Sequence, residues 1–240
     1  MANGMYVAAS GTVSRLAEIE VLSQNLAHIR SPGFKRSSVA FHDVLDQERG
    51  NRPVDGDKDF VQADDPIARL EEGPLVKTDN PLDLAVSGPA FLRVQTSEGE
   101  RLTRNGRMIL GQDGALRTQA GLPVLGSDGA RIHLPTDLIP EIDADGTIRT
   151  GETYLGQIGL ARVDLAKSLD RDSAGLFIPP TEASQDMGPV SVMQGFIEES
   201  NTPAIAMMTE LITVQRHYEA LHQVITTYRE MDQTASGLAR

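Results

Sequence analysis

The last forty residues of the chain carry an apolar stripe at alternating steps of four and three: Met207, Leu211, Val214, Tyr218, Leu221, Ile225 and Tyr228. The first thirty carry a second stripe: Val13, Leu16, Ile19, Leu22, Leu26 and Ile29. Such spacing keeps one face of a helix aimed at a partner helix over a long distance. The first helix is predicted from about Asn3 to Arg30. It should stop at Ser31-Pro32-Gly33, because proline disfavours helix at the residue before it and glycine permits a sharp turn. The second is predicted to start at Ser200-Asn201-Thr202-Pro203, a hydroxyl or amide cap followed by proline at the first helical position. Neither glycine nor proline then appears until Gly237. At 1.5 Å per residue the helices would be roughly 40 Å and 50 Å long.

Between them the pattern changes. Short apolar runs such as Leu84 and Val86, Leu92 and Val94, Met108 to Leu110, and Ile158 to Val163 alternate with turn dipeptides. Those dipeptides are Asn105-Gly106, Asp113-Gly114, Asp128-Gly129 and Asp145-Gly146. Such pairs accept positive φ at little cost and make tight hairpins. Strands of this length at this spacing predict an all-β sandwich or barrel. The stretch from Gly50 to Pro81 is polar, rich in proline and glycine, and without periodicity, so it reads as a linker or irregular extended arm. The expected fold class is therefore α+β. A helical segment over 1–36 leads to an arm over 37–81, a β domain over 82–197 and a closing helix over 198–240.

Composition narrows the function. The 240 residues are 40% hydrophobic, enough for a core, yet hold no Trp and only 4% aromatics. The formal net charge of -12 repels phosphate backbones and anionic lipid, so neither nucleic acid nor a membrane surface is an expected partner. With no cysteine, disulfides and thiolate metal sites are excluded. No run of about 20 apolar residues suggests membrane insertion. The N-terminus has no basic residue before a short apolar run, unlike a cleavable secretory signal. The ends differ in charge: residues 1–38 carry Arg15, Arg30, Lys35 and Arg36 against two acids, whereas residues 198–240 are net acidic, which favours pairing of the two helices.

Catalytic chemistry finds no foothold. Asp143-Ala144-Asp145-Gly146 resembles the opening of a calcium loop, but its glycine comes fourth and Tyr154 stands where the closing glutamate belongs. His217 and His222 are five apart, on different helix faces. Phosphate-cradling glycine loops are missing. The adjacent carboxylates Asp64-Asp65, Glu71-Glu72 and Glu198-Glu199 lie in polar sequence and read as solvated charge rather than as tuned acid-base pairs. No enzyme activity, metal or cofactor is expected. A β domain of about 100 residues is only about 26 Å across. Helices of 40–50 Å would overhang it, and long exposed stripes mark partners.

Three collinear motifs resemble the flagellar axial family, the rod and hook proteins of bacterial flagella. The first runs from Ser23-Gln24-Asn25-Leu26-Ala27 through Gly33-Phe34-Lys35-Arg36, close to the family's NNLANVNTxGFKR. It departs at Gln24, His28, Arg30 and Ser31. The second is Asn80-Pro81-Leu82-Asp83-Leu84-Ala85-Val86-Ser87-Gly88-Pro89-Ala90-Phe91-Leu92, continued by Leu102-Thr103-Arg104-Asn105-Gly106. The third is Ser200-Asn201 leading to Leu211-Ile212, Gln215-Arg216 and Tyr218-Glu219, with Thr202, Pro203 and Met207 departing from the usual form.

The resemblance covers nearly the whole chain. In length and short arm the chain is most similar to a proximal rod member; a distal rod or hook-type member is the alternative. It implies a structural subunit, exported through the flagellar type III apparatus without a cleaved signal and assembled into a periplasm-spanning drive shaft. It also implies that the terminal segments pair as an inner helical layer and the β domain lies outside. The implied partners are copies of the chain, other rod proteins, the inner-membrane ring and hook-side components. The rival from another class is a soluble adaptor whose termini form a simple dimeric coiled coil.

Overall fold

The computed structural model describes residues 2–44, 60–63, 65–135, 138–164, 169–172, 174–180 and 189–238. They form two compact units. The first gathers the described residues of Met1–Ala27, Ser37–Ile67 and Pro203–Arg240; the second gathers those of His28–Arg36 and Ala68–Thr202.

The first unit is a helix pair with a small strand element. Helix α1 spans Ala2–Ala27 and helix α2 spans Ala204–Leu238. They run antiparallel: Gly4 lies by Tyr228, Gly11 by Leu221, and Leu22 by Met207 and Val214. Leu22, Met207 and Val214 form a buried cluster, with Ile19, Leu26 and Leu211 packed against it. Strands Phe41–Val44 and Phe60–Ala63 pair antiparallel, Phe41 opposite Ala63. The buried Asn25 amide clamps the chain after α1, donating to Ser37 O and accepting from Ser37 N–H, both at 2.8 Å.

The second unit is antiparallel β throughout its strand pairs. Strand Ala90–Thr96 lies between Leu160–Arg162 and Gly99–Thr103. Leu84–Ser87 pairs with Ser191–Gln194, and Leu75–Lys77 pairs with Phe196–Glu198. The side-chain period of two along a strand explains its two cores. Ala90, Leu92 and Val94 point into a cluster with Leu84, Met108, Leu116 and Ile148. Phe91 points the other way, edge-on to Phe177 at 5.3 Å, in a cluster with Leu70 and Leu102. The chain thus has two terminal helices and a mostly β centre. Among the described residues no helix is long and apolar enough to cross a membrane.

Four sequence expectations change. Residues 50–59 and 64 of the turn-rich stretch lie outside the described residues, but its remainder carries Phe60–Ala63, Ile67–Ala68 and Leu75–Lys77, each held by pairing with another strand rather than by local pattern. Gly114, Gly129 and Gly146 have positive φ, as hairpin turns require, but Gly106 does not. There a Cβ would stand 1.5 Å from Leu84 O, so close backbone approach explains that glycine. Helix α1 ends at Ala27, leaving Ile29 beyond it. Ser31 N–H bonds His28 O there, and the His28 ring stacks on Phe34 at 4.7 Å. At α2 the first intrahelical bond, Met207 N–H to Pro203 O, makes Pro203 the capping position itself.

Candidate functional site

The α2 stripe forms a continuous less-exposed face. Met207 and Val214 are buried; Leu211, Tyr218, Leu221, Ile225 and Tyr228 are half-buried, and most of the residues between them are exposed. The α1 stripe divides. Leu22 is buried and Ile19, Leu26 and Ile29 are half-buried. Val13 and Leu16 are 68% and 54% exposed. The face that α1 turns to α2 is instead built of small residues. Gly4 and Gly11 lie under Tyr228 and Leu221, and Ala8 is buried between them. Bulky aliphatic and aromatic groups on one helix need small partners if the axes are to approach closely. Hydrophobic periodicity misses such a face because glycine carries no hydrophobic weight.

The helices therefore carry apolar side chains that nothing in the described residues covers. Val13 and Leu16 are exposed on α1, and Ile205, Met208 and Ile212 on α2, Ile205 at 83%. Beside them an open groove of about 550 Å³ is lined by Arg15, Glu18, Glu210, Thr213, Val214 and His217, among others. Arg15 does not reach across to α2; its guanidinium bonds Glu18 on the same helix at 2.5 Å. Gln215 and Arg216 are exposed.

Of the other motif residues, Asn25, Leu26 and Ala27 lie in the first unit, whereas Gly33, Phe34, Lys35, Ser200 and Asn201 meet inside the second. Glu198 is 1% exposed, correcting its reading as solvated charge. Its Oε1 accepts from Lys35 Nζ at 2.5 Å and from Gly73 N–H at 2.7 Å; its Oε2 accepts from Arg104 Nη1 at 3.1 Å. Lys35 Nζ also donates to Glu71 O at 2.6 Å. Arg104 donates to Val86 O and Gly88 O and lies over the Phe91 ring, 4.8 Å from its centroid. Gly33, at φ 66°, presses on the Arg104 carbonyl and donates to Glu198 O at 2.7 Å. A side chain there would collide with backbone, which accounts for the glycine. Phe34 takes the Arg171 guanidinium on its face at 5.0 Å, and Arg171 donates to Lys35 O.

Asn201 works in parallel. Its Oδ1 accepts from Arg36 N–H at 2.7 Å, and its Nδ2 donates to Arg69 O and Glu71 O at 2.9 and 3.1 Å. Ser200 Oγ bonds Thr202 Oγ1 and accepts from Thr202 N–H. The Ser200-Asn201 pair was expected to cap α2; instead Asn201 stitches separate segments together and Ser200 closes a local turn with Thr202. From sequence Glu198 was read as solvated charge and Arg104 only as part of a motif, and neither was given a buried pairing role. Their signal was weak: one acid and one base set beside apolar residues within strand-like runs.

Burial pulls the Lys35 ammonium below its ordinary value, and the Glu198 carboxylate opposes that pull. Burial also brings Arg171 down to about 10. Perturbed groups in a cleft can mark catalysis. Here Lys35 is fully enclosed and both of its acceptors are protein atoms, so it serves structure. Among the described residues no three His, Asp or Glu are grouped to hold a metal ion. Asp143 to Gly146 make a tight turn, with Gly146 N–H on Asp143 O and Thr147 on the Asp145 carboxylate.

Residues 85–150 match the family model described as flagellar hook protein FlgE/F/G D1 domain. Residues 193–238 match that of the flagellar basal body rod FlgEFG protein C-terminal. The chain is 31% identical over 239 residues to the flagellar basal-body rod protein FlgF of Caulobacter vibrioides, covering 98% of this chain and 97% of that one. It is 32% identical over 240 residues to FlgF of Mesorhizobium japonicum, covering 99% and 95%. The flagellar basal-body rod protein FlgG of Bacillus subtilis is 27% identical over 268 residues and aligned along all of both chains.

Proposed function

The chain belongs to the flagellar basal-body rod protein family, and on that premise we propose how it acts there. It is a structural subunit of the proximal rod of the flagellar basal body, not an enzyme. The helix pair made from its two ends is the assembly element, and its partners are copies of itself and other rod proteins. One observation carries this reading: the helices satisfy each other along one face yet leave Val13, Leu16, Ile205, Met208 and Ile212 exposed. Covering such a side chain contributes roughly 1.5–3 kcal/mol. A heterologous contact of this kind, repeated without closing on itself, builds a filament.

The finer picture follows from the same premise. The helix pairs line the rod as a coiled-coil-like layer. The subunit reaches the periplasm through the flagellar type III apparatus without a cleaved signal, and it meets the inner-membrane ring at one end and hook-side rod components at the other. The FlgF relatives at 31 and 32% identity, against FlgG at 27%, support the proximal over the distal position. The adaptor reading loses its basis because the α2 stripe packs against α1 of the same chain. Imaging an intact basal body with this chain traced tests the proposal. Its density should sit in the proximal rod with α1 and α2 facing neighbouring subunits; density elsewhere contradicts it.

A further inference from the structure

Three stretches of chain that are remote in sequence meet at the Glu198 carboxylate. Residues 33–36 lead into the β unit, residues 69–74 form a strap, and residues 198–201 lead out of it. Gly33 bonds Glu198 O, Lys35 and Gly73 bond Glu198 Oε1, and Lys35 also bonds the strap at Glu71 O. Backbone bonds complete the knot: Arg69 N–H to Arg36 O, Glu199 N–H to Pro74 O and Asn201 N–H to Phe34 O. The strap has no room to shift, since a Cβ on Gly73 would stand 2.1 Å from Glu199 O.

Among the described residues, Glu198 is the one carboxylate to which both buried cations of this knot bond. Lys35 and Arg104 have fully enclosed side chains, and each pairs with the same carboxylate. Taking away that one acid leaves two buried cations facing backbone carbonyls alone. Breaking one partner out of a buried ion pair is far more costly than losing a surface pair, because the remaining charge stays desolvated.

We infer that Glu198 is a completion latch: the three segments close as one cooperative unit only when the outgoing strand delivers this carboxylate. Lys35 and Arg104 precede Glu198 by 163 and 94 positions. A chain that lacks its last strand therefore carries two cations it cannot bury. The β unit stays open at this knot until the segment just before α2 is in place. Closure thus reports that the outgoing strand has been delivered through Glu198. The inference does not depend on the rod reading, since it concerns folding of the second unit alone.

Hydrogen exchange on the full-length chain tests it. In Glu198→Gln, which keeps the shape and removes the charge, amides of residues 33–36, 69–74 and 199–201 should all exchange faster by one common factor on the order of 100-fold. Glu199→Gln, a change at the exposed neighbour, should leave them as they are. Acceleration confined to Gly73, or none, overturns the latch. If Glu198→Gln does not fold, the triple variant Lys35→Met, Arg104→Met and Glu198→Gln, which removes both stranded cations, decides the matter. Recovery of folding supports the latch, and failure to recover overturns it.

Discussion

Tyr228 lies directly over Gly4: a Cβ built on the glycine would stand 2.8 Å from the phenol oxygen. One heptad-length step along, a Cβ on Gly11 would stand 3.4 Å from Leu221 Cδ1. The two contacts set how closely α1 and α2 approach, and they differ in what they tolerate.

At Gly11 a methyl group fits. Alanine in a helix is about 1 kcal/mol more favourable than glycine. Gly11→Ala should therefore leave the thermal midpoint unchanged or higher, as followed by circular dichroism. Gly11→Phe should lower stability by about 1–3 kcal/mol, because Leu221 cannot vacate the space without parting the helices.

The buried ion cluster predicts a larger effect. Lys35→Met removes a cation from a site that still encloses Glu198, and should cost about 3–5 kcal/mol in urea unfolding. Lys77→Met removes the lysine of an exposed pair with Asp79, and should leave the unfolding midpoint nearly where it was.

Glycines that look alike in sequence should respond differently. Gly106→Ala drives a methyl into Leu84 O and should cost about 3 kcal/mol or more. Gly129→Ala meets nothing within 4 Å and has only its φ of 78° to resist it, so its cost should be about 1–2 kcal/mol. Chemical denaturation of the pair measures the contrast.

Acid should act through Glu100. Its two oxygens accept from Arg93 at 2.6 and 2.7 Å, and those bonds hold its carboxyl below the usual range near 4.5. A carboxyl lowered by folding stabilises the folded state above its unfolded value, and that contribution is lost as pH falls through the lowered one. Glu100→Gln should thus cost about 0.5–1 kcal/mol at pH 7, and progressively less as pH falls below the usual carboxyl range, read from urea midpoints.

These contrasts also mark what the sequence could disclose. The α2 stripe was legible residue by residue, because a long helix with one covered face imposes its period on the chain. The α1 face was half legible. Leu22 and Leu26 follow the period, but Gly4, Ala8 and Gly11 do the packing and have no hydrophobic signal. Val13 and Leu16 follow the period yet point to solvent. The strands between the helices were legible as short runs, while Leu75–Lys77 was not, since its pairing with Phe196–Glu198 is set by residues more than a hundred positions away. Glu198 was misread for the same reason: its burial depends on Lys35 and Arg104, and no local pattern encodes that meeting.

The account rests on the exposed apolar residues of the helix pair, so the most direct measurement changes them without touching the pair itself. Val13→Asp with Leu16→Asp alters two side chains that are 68% and 54% exposed. Leu221→Asp would be less clean, since Leu221 packs over Gly11 within the chain. The measurement is incorporation of the double variant into basal bodies isolated from cells lacking the native subunit, beside the unfolding midpoint of the purified protein. The account predicts a midpoint within about 0.5 kcal/mol of the unaltered chain and no variant in the rod. A variant that folds equally well and enters the rod at the normal level would contradict it.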